Sequence, residues 1–277
     1  QMMDYYNGWE MTVIVGLRIA KGRMIEVQKR IAEDQRVFLV YDVTGDYDSF
    51  VVAKVQNTDD LNLFKGMKIV SEDQAIILPT GIELKSFKNF QKKSFSNGLL
   101  NFIYVGRLIK EKGIIEFIDA ANIILKEHKN VNFYIFGDPH SIESKKIRYL
   151  ITAMSKKYIN NFFYEGYNDE IVHDLHKFDC IVVPSYREGL SNVLLEAGAC
   201  RLPSIASNVP GCNTVIDHKF NGLLFEKGNV LDLTSKIEDI ISMNVNDLKT
   251  MGYNAEIVIK QKYQFSFVKK FYLNIVL

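Results

Sequence analysis

The sequence predicts an α/β protein whose C-terminal part is a parallel sheet with helices on both faces. Three observations carry this. From Asn101 onward, six short apolar runs have the length and content of strands: Asn101–Val105, Val131–Phe136, Phe162–Tyr164, Cys180–Val183, Ser204–Ala206 and Leu223–Phe225. Between most of them lie helix-patterned segments, Gly113–His128, Ile142–Tyr158, Asp169–His176, Ser191–Cys200 and Val230–Met243. The alternation implies βαβ units, and right-handed crossovers place the loops after the strands on one edge of the sheet. Those loops (G-R-L-I-K-E-K-G, G-D-P-H, E-G-Y-N, P-S-Y-R-E-G-L-S-N and S-N-V-P-G-C-N) hold most of the conspicuous glycines and charges.

The part before Asn101 is less regular. Gln1–Glu10 has no clear period, and Met11–Gly16 reads as a short buried strand. Lys21–Glu33 suits a helix, with Met24, Val27 and Ile31 at helical spacing. Val37–Val43 and Phe50–Val55 read as strands separated by the turn chemistry of Thr44–Ser49. Thr58 or Asp59 can cap a helix through Lys68, and Ala75–Leu78 is a brief strand before the turn Pro79-Thr80-Gly81. Lys85–Gly98 is polar and basic and makes the natural domain boundary. Asn246–Leu277 reads as two helices, the last rich in aromatic and aliphatic residues.

Composition bounds the function. A chain of 277 residues makes one large or two ordinary domains, and 47% hydrophobic with 24% charged residues is ordinary for a globular protein. A formal net charge of +1 supplies no global field for nucleic acid or an acidic membrane. Cys180, Cys200 and Cys212 are scattered and odd in number, the pattern of buried free thiols in a reducing compartment. No run reaches the ~18–20 apolar residues of a membrane span, and no signal-peptide pattern opens the chain, so a cytoplasmic location is expected. His173 and His176 share a helix face without a metal-ligand set around them, and no metal is expected.

The chemistry concentrates in Pro184–Cys200, where an apolar strand leads through a polar turn into a helix start. That arrangement presents free backbone N–H groups and the positive end of a helix dipole to an anion. Glu188 in the turn and Glu196 on the helix bracket it, seven residues apart. Gly189 permits a tight or left-handed backbone, and Ser191 suits an N-cap, though a capped helix after a strand is also ordinary structure. Glu196 sits on the flank of an apolar face, where a carboxylate needs either a ligand hydroxyl or water. At another strand end, Gly106-Arg107 precedes Lys112-Gly113, two cations able to neutralise a diphosphate or to form a solvated basic loop. The spacing is not that of a Walker loop.

Taken in order, R-L-I-K-E-K-G, E-G-L-S-N-V-L-L-E-A-G-A and S-N-V-P-G-C resemble the nucleotide-sugar half of retaining GT-B glycosyltransferases of family 4, over about Asn101–Tyr263. Glu188 and Glu196 match that family's E-x7-E motif. The resemblance implies a Rossmann-like parallel sheet at 94–262, a shortened α/β acceptor-side domain at 1–93, and a helix at 263–277 packing back on the latter. It also implies that Arg107 and Lys112 hold the donor diphosphate. Glu188 would take the sugar hydroxyls and Glu196 the ribose. Gly106, Gly189, Leu190, Ser191 and Asn192 would line the phosphate and sugar, and Gly166 and Tyr167, within Glu165–Asn168, the base. Front-face transfer from a UDP-sugar to a glycan or lipid-linked acceptor follows, in cell-surface polysaccharide or glycolipid assembly, without metal or other cofactor. Asp46-Tyr47-Asp48 spells a metal motif but reads as a loop.

The likeness departs at the N-terminal side. Only 93 residues precede Ser94, against roughly 150–200 in an ordinary α/β domain. Gly16-Leu17-Arg18 and Gly22 are the candidates for a Gly-rich phosphate loop, and the first histidine is His128. Q-N-T-D-D-L-N-L-F resembles the end of the acceptor domain, P-T-G-I-E-L-K-S-F the hinge, and Asn213 stands where Arg usually follows P-G-C. The alternatives are a nucleotide-sugar-binding module, or half of a two-chain enzyme whose partner chain supplies the missing part, and a sugar-nucleotide epimerase. The loop Phe87–Lys93 mixes aromatics with lysines, as either a solvated hinge or a peripheral membrane contact does.

Overall fold

The structure is a computed structural model that describes residues 11–17, 19, 23–34, 37–42, 49–55, 82–87, 98–138 and 144–266. They fall into two compact units, one within residues 1–81 and the other Ile82–Phe265.

In the first unit, β1 (Met11–Leu17), α1 (Met24–Ala32), β2 (Val37–Asp42) and β3 (Ser49–Val55) follow one another. The three strands form an antiparallel sheet in the order β1-β3-β2. Ser49, Val51 and Ala53, alternate residues of the central strand, are buried, as the two-residue period of a strand requires. Ile31 of α1 packs with Val51, and Ile19, Val27, Val37 and Val40 close around them. Gln28 donates to the hydroxyl of buried Ser49 at 3.0 Å. The expected helix at 58–68, the strand at 75–78, Asp46-Tyr47-Asp48 and the basic loop beyond Phe87 lie outside the described residues.

The second unit is the parallel sheet. Its strands are β4 (Leu100–Val105), β5 (Val131–Phe136), β6 (Phe162–Gly166), β7 (Cys180–Val183), β8 (Ser204–Ser207) and β9 (Leu223–Phe225). They lie in the order β6-β5-β4-β7-β8-β9 and every pairing is parallel. Each runs within two residues of its sequence-predicted span. Helices α2 (Ile114–Glu127), α3 (Ser144–Lys157), α4 (Ile171–Asp174), α5 (Asn192–Ala199), α6 (Pro210–Asn213), α7 (Val230–Ser242) and α8 (Val245–Lys262) connect them.

Side-chain alternation divides the core between the two faces. Phe102 and Phe133 join Phe117 of α2, Ile147 of α3 and Ile237 of α7 on one face. Ile103 and Ile181 meet Leu194 of α5 and Ile259 of α8 on the other. All four residues of β7 are buried, as a central strand covered on both sides must be. Helices α7 and α8 start under side-chain caps, Asn229 and Asn244 each accepting from the amide three residues on, at 3.0 and 2.9 Å. The expected helix at 169–176 is shorter, a turn at 171–174 continued as a 3-10 turn at 175–177. The tail begins as the single helix α8, and residues beyond 266 lie outside the described set.

The chain runs outward from β4 through β5 to β6, then returns to place β7 on the other side of β4. The strand order therefore switches between β4 and β7, where open α/β sheets form a crevice at their carboxyl edge.

Phe133 is wholly buried, stacked on Phe102 at 5.4 Å and edge-on to Phe117 at 5.7 Å. Phe133→Ala is expected to cost about 3–5 kcal/mol of stability, read from urea unfolding followed by circular dichroism.

Candidate active site

The loops after β4 and β7 meet at the switch point, and two glycines let them approach. Gly113 has φ +71°, and a Cβ there would lie 1.9 Å from the Pro184 carbonyl oxygen. On the other side, a Cβ at Gly211, in α6, would lie 2.3 Å from the Glu188 carbonyl oxygen. The Ser191 amide donates to the Gly211 carbonyl at 3.2 Å, and the Tyr186 amide to the Glu111 carbonyl at 2.8 Å. The turn that carries Glu188 is thus held between the start of α2 and the start of α6.

Within this clamp, Lys112 Nζ donates to Glu188 Oε1 at 2.9 Å, and Ser185 Oγ donates to the same oxygen at 2.6 Å. The two ionic side chains are 18% and 11% exposed, so the pair is largely withdrawn from water. The cation expected on a diphosphate and the carboxylate expected on a sugar are bonded to each other. Arg107, on the same loop as Lys112, is exposed, and its guanidinium forms no hydrogen bond or ion pair among the described residues. Its carbonyl accepts from the Tyr104 hydroxyl at 2.8 Å. Burial, then the Glu188 charge, pushes the Tyr104 hydroxyl well above its ordinary value, so it remains a neutral donor. Burial, then Glu188, likewise raises the Cys212 thiol. All three cysteines are buried, and none is in a disulfide.

Ser191 occupies the N-cap of α5, extended and buried, yet its side chain makes no capping bond. Its carbonyl instead accepts from the amides of Leu194 and Leu195. The first turn of α5 therefore keeps donors with no side-chain cap. Gly189 is not among the described glycines with positive φ, so it does not use the left-handed backbone it permits. Leu190 is half-buried against the second core, and Asn192 is exposed. Glu196 is half-buried with no hydrogen bond or ion pair among the described residues, and burial raises its carboxyl above the ordinary range.

Beside this cluster lies a pocket of about 510 Å³ lined by Val105, Gly106, Arg107, Phe136, Gly137, Asp138, Tyr167 and Asn168. Gly166 fixes one wall by accepting from the Gly137 amide at 2.8 Å, and Tyr167 is 70% exposed at the rim. The sequence-nominated residues thus fall into two adjoining groups. Gly106, Arg107 and Tyr167 line the pocket, and Gly166 adjoins it through its bond to the Gly137 amide. Lys112, Glu188, Gly189, Leu190, Ser191 and Asn192 belong to the clamp, with Glu196 one turn along α5. Sequence reasoning missed Ser185, Tyr186, Glu116 and Gly211. Gly211 had a signal, because a glycine in the first turn of a helix invites the question of what lies against it. Among the described residues, Glu127, His128 and Glu238 can bring three ligand atoms within 4.8 Å of one another. Glu127 and His128 end α2 and Glu238 lies on α7, so the trio is on the opposite edge of the sheet from this site. No helix of the described residues is long and apolar enough to cross a membrane.

Residues 85–258 match the family profile of glycosyl transferases group 1. The chain belongs to that family. Residues 12–90 match a different profile, the Lrp/AsnC ligand binding domain. An uncharacterised glycosyltransferase of Methanocaldococcus jannaschii is 30% identical over 223 residues, 80% of this chain and 57% of that protein. The capsular polysaccharide biosynthesis glycosyltransferase CapM of Staphylococcus aureus is 30% identical over 169 residues, 59% of this chain and 42% of CapM. An uncharacterised HTH-type transcriptional regulator of Pyrococcus abyssi is 43% identical over 63 residues, 22% of this chain and 43% of that protein. HepE of Anabaena, solved with UDP-glucose, shares the fold at TM-score 0.66 and 18% identity, over 79% of this chain and 62% of HepE. The chain spans about half the length of the curated glycosyltransferases it matches.

Glu196 supplies a pH test. Its carboxyl is raised in the fold relative to the unfolded chain, so the fold binds its proton more tightly. The associated stability is full below the ordinary carboxylate range and is lost as pH rises through the raised value. Glu196→Gln should therefore be more stable than the parent at neutral pH and should lose that downward step, measured by thermal unfolding from pH 4 to 8 (roughly the window a raised carboxylate spans).

Proposed function

We propose that the second unit binds a nucleotide-diphosphate sugar, a UDP-sugar, in the β4–β7 crevice and transfers the sugar with retention, as family 4 of the GT-B enzymes does. The carrying observation is the Lys112–Glu188 pair beside the uncapped start of α5, with Arg107 open on the same loop. The match to glycosyl transferases group 1 and the likeness to HepE with UDP-glucose support the donor class. CapM supports a role in capsular, and so cell-surface, polysaccharide assembly; the acceptor in this reading is a glycan or a lipid-linked sugar.

In this reading the pocket at Gly106, Gly166 and Tyr167 receives the base, and Glu196 gains ribose hydroxyls as the partners it lacks. Arg107, Lys112 and the amides of Gly189–Asn192 take the diphosphate. Glu188 turns from Lys112 toward the sugar hydroxyls. As the sugar–phosphate bond loosens, negative charge grows on the leaving diphosphate, where cations and helix-start amides already stand. That phosphate then takes the proton of the acceptor hydroxyl. The residues supply the counter-charge, so the reading includes no metal.

A second reading concerns the first unit. The acceptor-side assignment of residues 1–93 competes with a small-ligand-binding module, favoured by the Lrp/AsnC match over 12–90 and the antiparallel β-α-β-β sheet. In that case the chain binds donor but lacks an acceptor wall of its own. Turnover of a bound UDP-sugar with glycan and undecaprenyl-linked acceptors favours the first assignment. Binding without turnover favours the second.

Calorimetry with UDP and with UDP-sugars is expected to show binding, and none at millimolar ligand with a folded chain would reject the donor assignment. Glu188→Gln separates the roles. Losing its charge releases Lys112 to phosphate, so UDP should bind several-fold tighter while any sugar transfer falls to background.

A further inference from the structure

Tyr186 and Glu116 play no part in the reaction as derived, yet they form the shortest side-chain contact around the clamp. The Tyr186 hydroxyl donates to Glu116 Oε1 at 2.5 Å, the length of a charge-assisted bond. Glu116 lies in the first turn of α2 and is 7% exposed, and its second oxygen, Oε2, is buried without a hydrogen-bond partner among the described residues. Its charge also raises the nearby Asp119 carboxyl, behind burial as the main cause. A half-satisfied buried carboxylate is costly. A phenylalanine over an apolar residue would fill the same space without that cost, so packing does not account for the pair.

Its position does. Tyr186 is anchored at two points of α2's start, by its amide to the Glu111 carbonyl and by its hydroxyl to Glu116. Lys112 lies between those two anchors, and Glu188 follows Tyr186 by two residues. We infer that Tyr186 and Glu116 are positioning residues, a latch that holds the turn carrying Glu188 beside the start of α2, so that its carboxylate lies within reach of both Lys112 and the donor's sugar. The inference rests on the donor reading of the crevice. The Tyr186 hydroxyl is pushed up to about 12, first by the bond to Glu116, so it stays a donor across the working pH range.

The test compares the parent chain, Tyr186→Phe and Glu116→Gln. Calorimetry gives the ratio of affinities for UDP-glucose, UDP-galactose or UDP-N-acetylglucosamine to that for UDP. Amide exchange over residues 185–192 is read on the ligand-free proteins. In Tyr186→Phe the latch requires the sugar-to-UDP ratio to fall about tenfold, the worth of one charge-assisted bond, and exchange in the loop to speed up. Glu116→Gln keeps an acceptor for the hydroxyl but loses the charge, so the latch requires both readouts to lie between those of the parent and of Tyr186→Phe. An equal loss of UDP and UDP-sugar affinity in Tyr186→Phe, or an unchanged ratio, would overturn the latch. Unchanged loop exchange overturns it even if no nucleotide binds, whereas absent UDP binding by the parent alone defeats only the donor reading.

Discussion

The ion pair between Lys112 and Glu188 is the contact on which the arrangement of the crevice depends. It joins the loop after β4 to the loop after β7 across the one place where the strand order reverses. At an exposed position such a pair would contribute about 0–1 kcal/mol. Here both side chains are largely withdrawn from water, and removing either partner would strand a charge, a cost of about 3–5 kcal/mol. The pair is thus strong enough to set the loops. Its components can still be redirected, since an ammonium keeps further donors and a carboxylate further lone pairs for an arriving ligand.

Several independent contacts make that pair geometrically unavoidable. The Pro184 carbonyl over Gly113, the Glu188 carbonyl against Gly211 and the Tyr186 amide on the Glu111 carbonyl all fix backbone, not side chains. A backbone clamp leaves little freedom to the side chains mounted on it, which is what a preorganised charge site requires. The sheet provides the rigid base, because β4 and β7 are paired and β7 is buried on both faces.

Much of this was legible in the sequence, and the reasons differ by region. The strands from Asn101 onward could be located because each is a short apolar run closed by Gly, Pro, a charge or, after β8, the polar pair Ser207-Asn208, and a parallel sheet buries such runs whole. Arg107, Lys112 and Glu188 stood out because charges in the loops after strands need a purpose, and Glu196 because it flanks the apolar face of a helix. Contacts between distant segments left no local signal. Nothing adjacent to Glu116 announces Tyr186, 70 residues away, and nothing beside Lys112 says that its first partner is Glu188. In the first unit, the two strands and the turn chemistry between them were legible, but their pairing was not: β2 and β3 lie antiparallel, an arrangement the parallel units downstream do not use.

Beneath the Lys112–Glu188 pair lie two groups that titration does not reach. Tyr104 and Cys212 are both wholly buried, and both have their protons held in place by burial and by the Glu188 charge. The floor of the clamp is therefore neutral and shielded from water. Over such a floor the attraction between a cation and a phosphate is reduced far less than in bulk solvent. Under the proposed donor reading, the exposed Arg107 would meet an incoming diphosphate first, with its charge screened by salt. Lys112, less exposed and compensated by Glu188, would then act at close range, where screening is weaker.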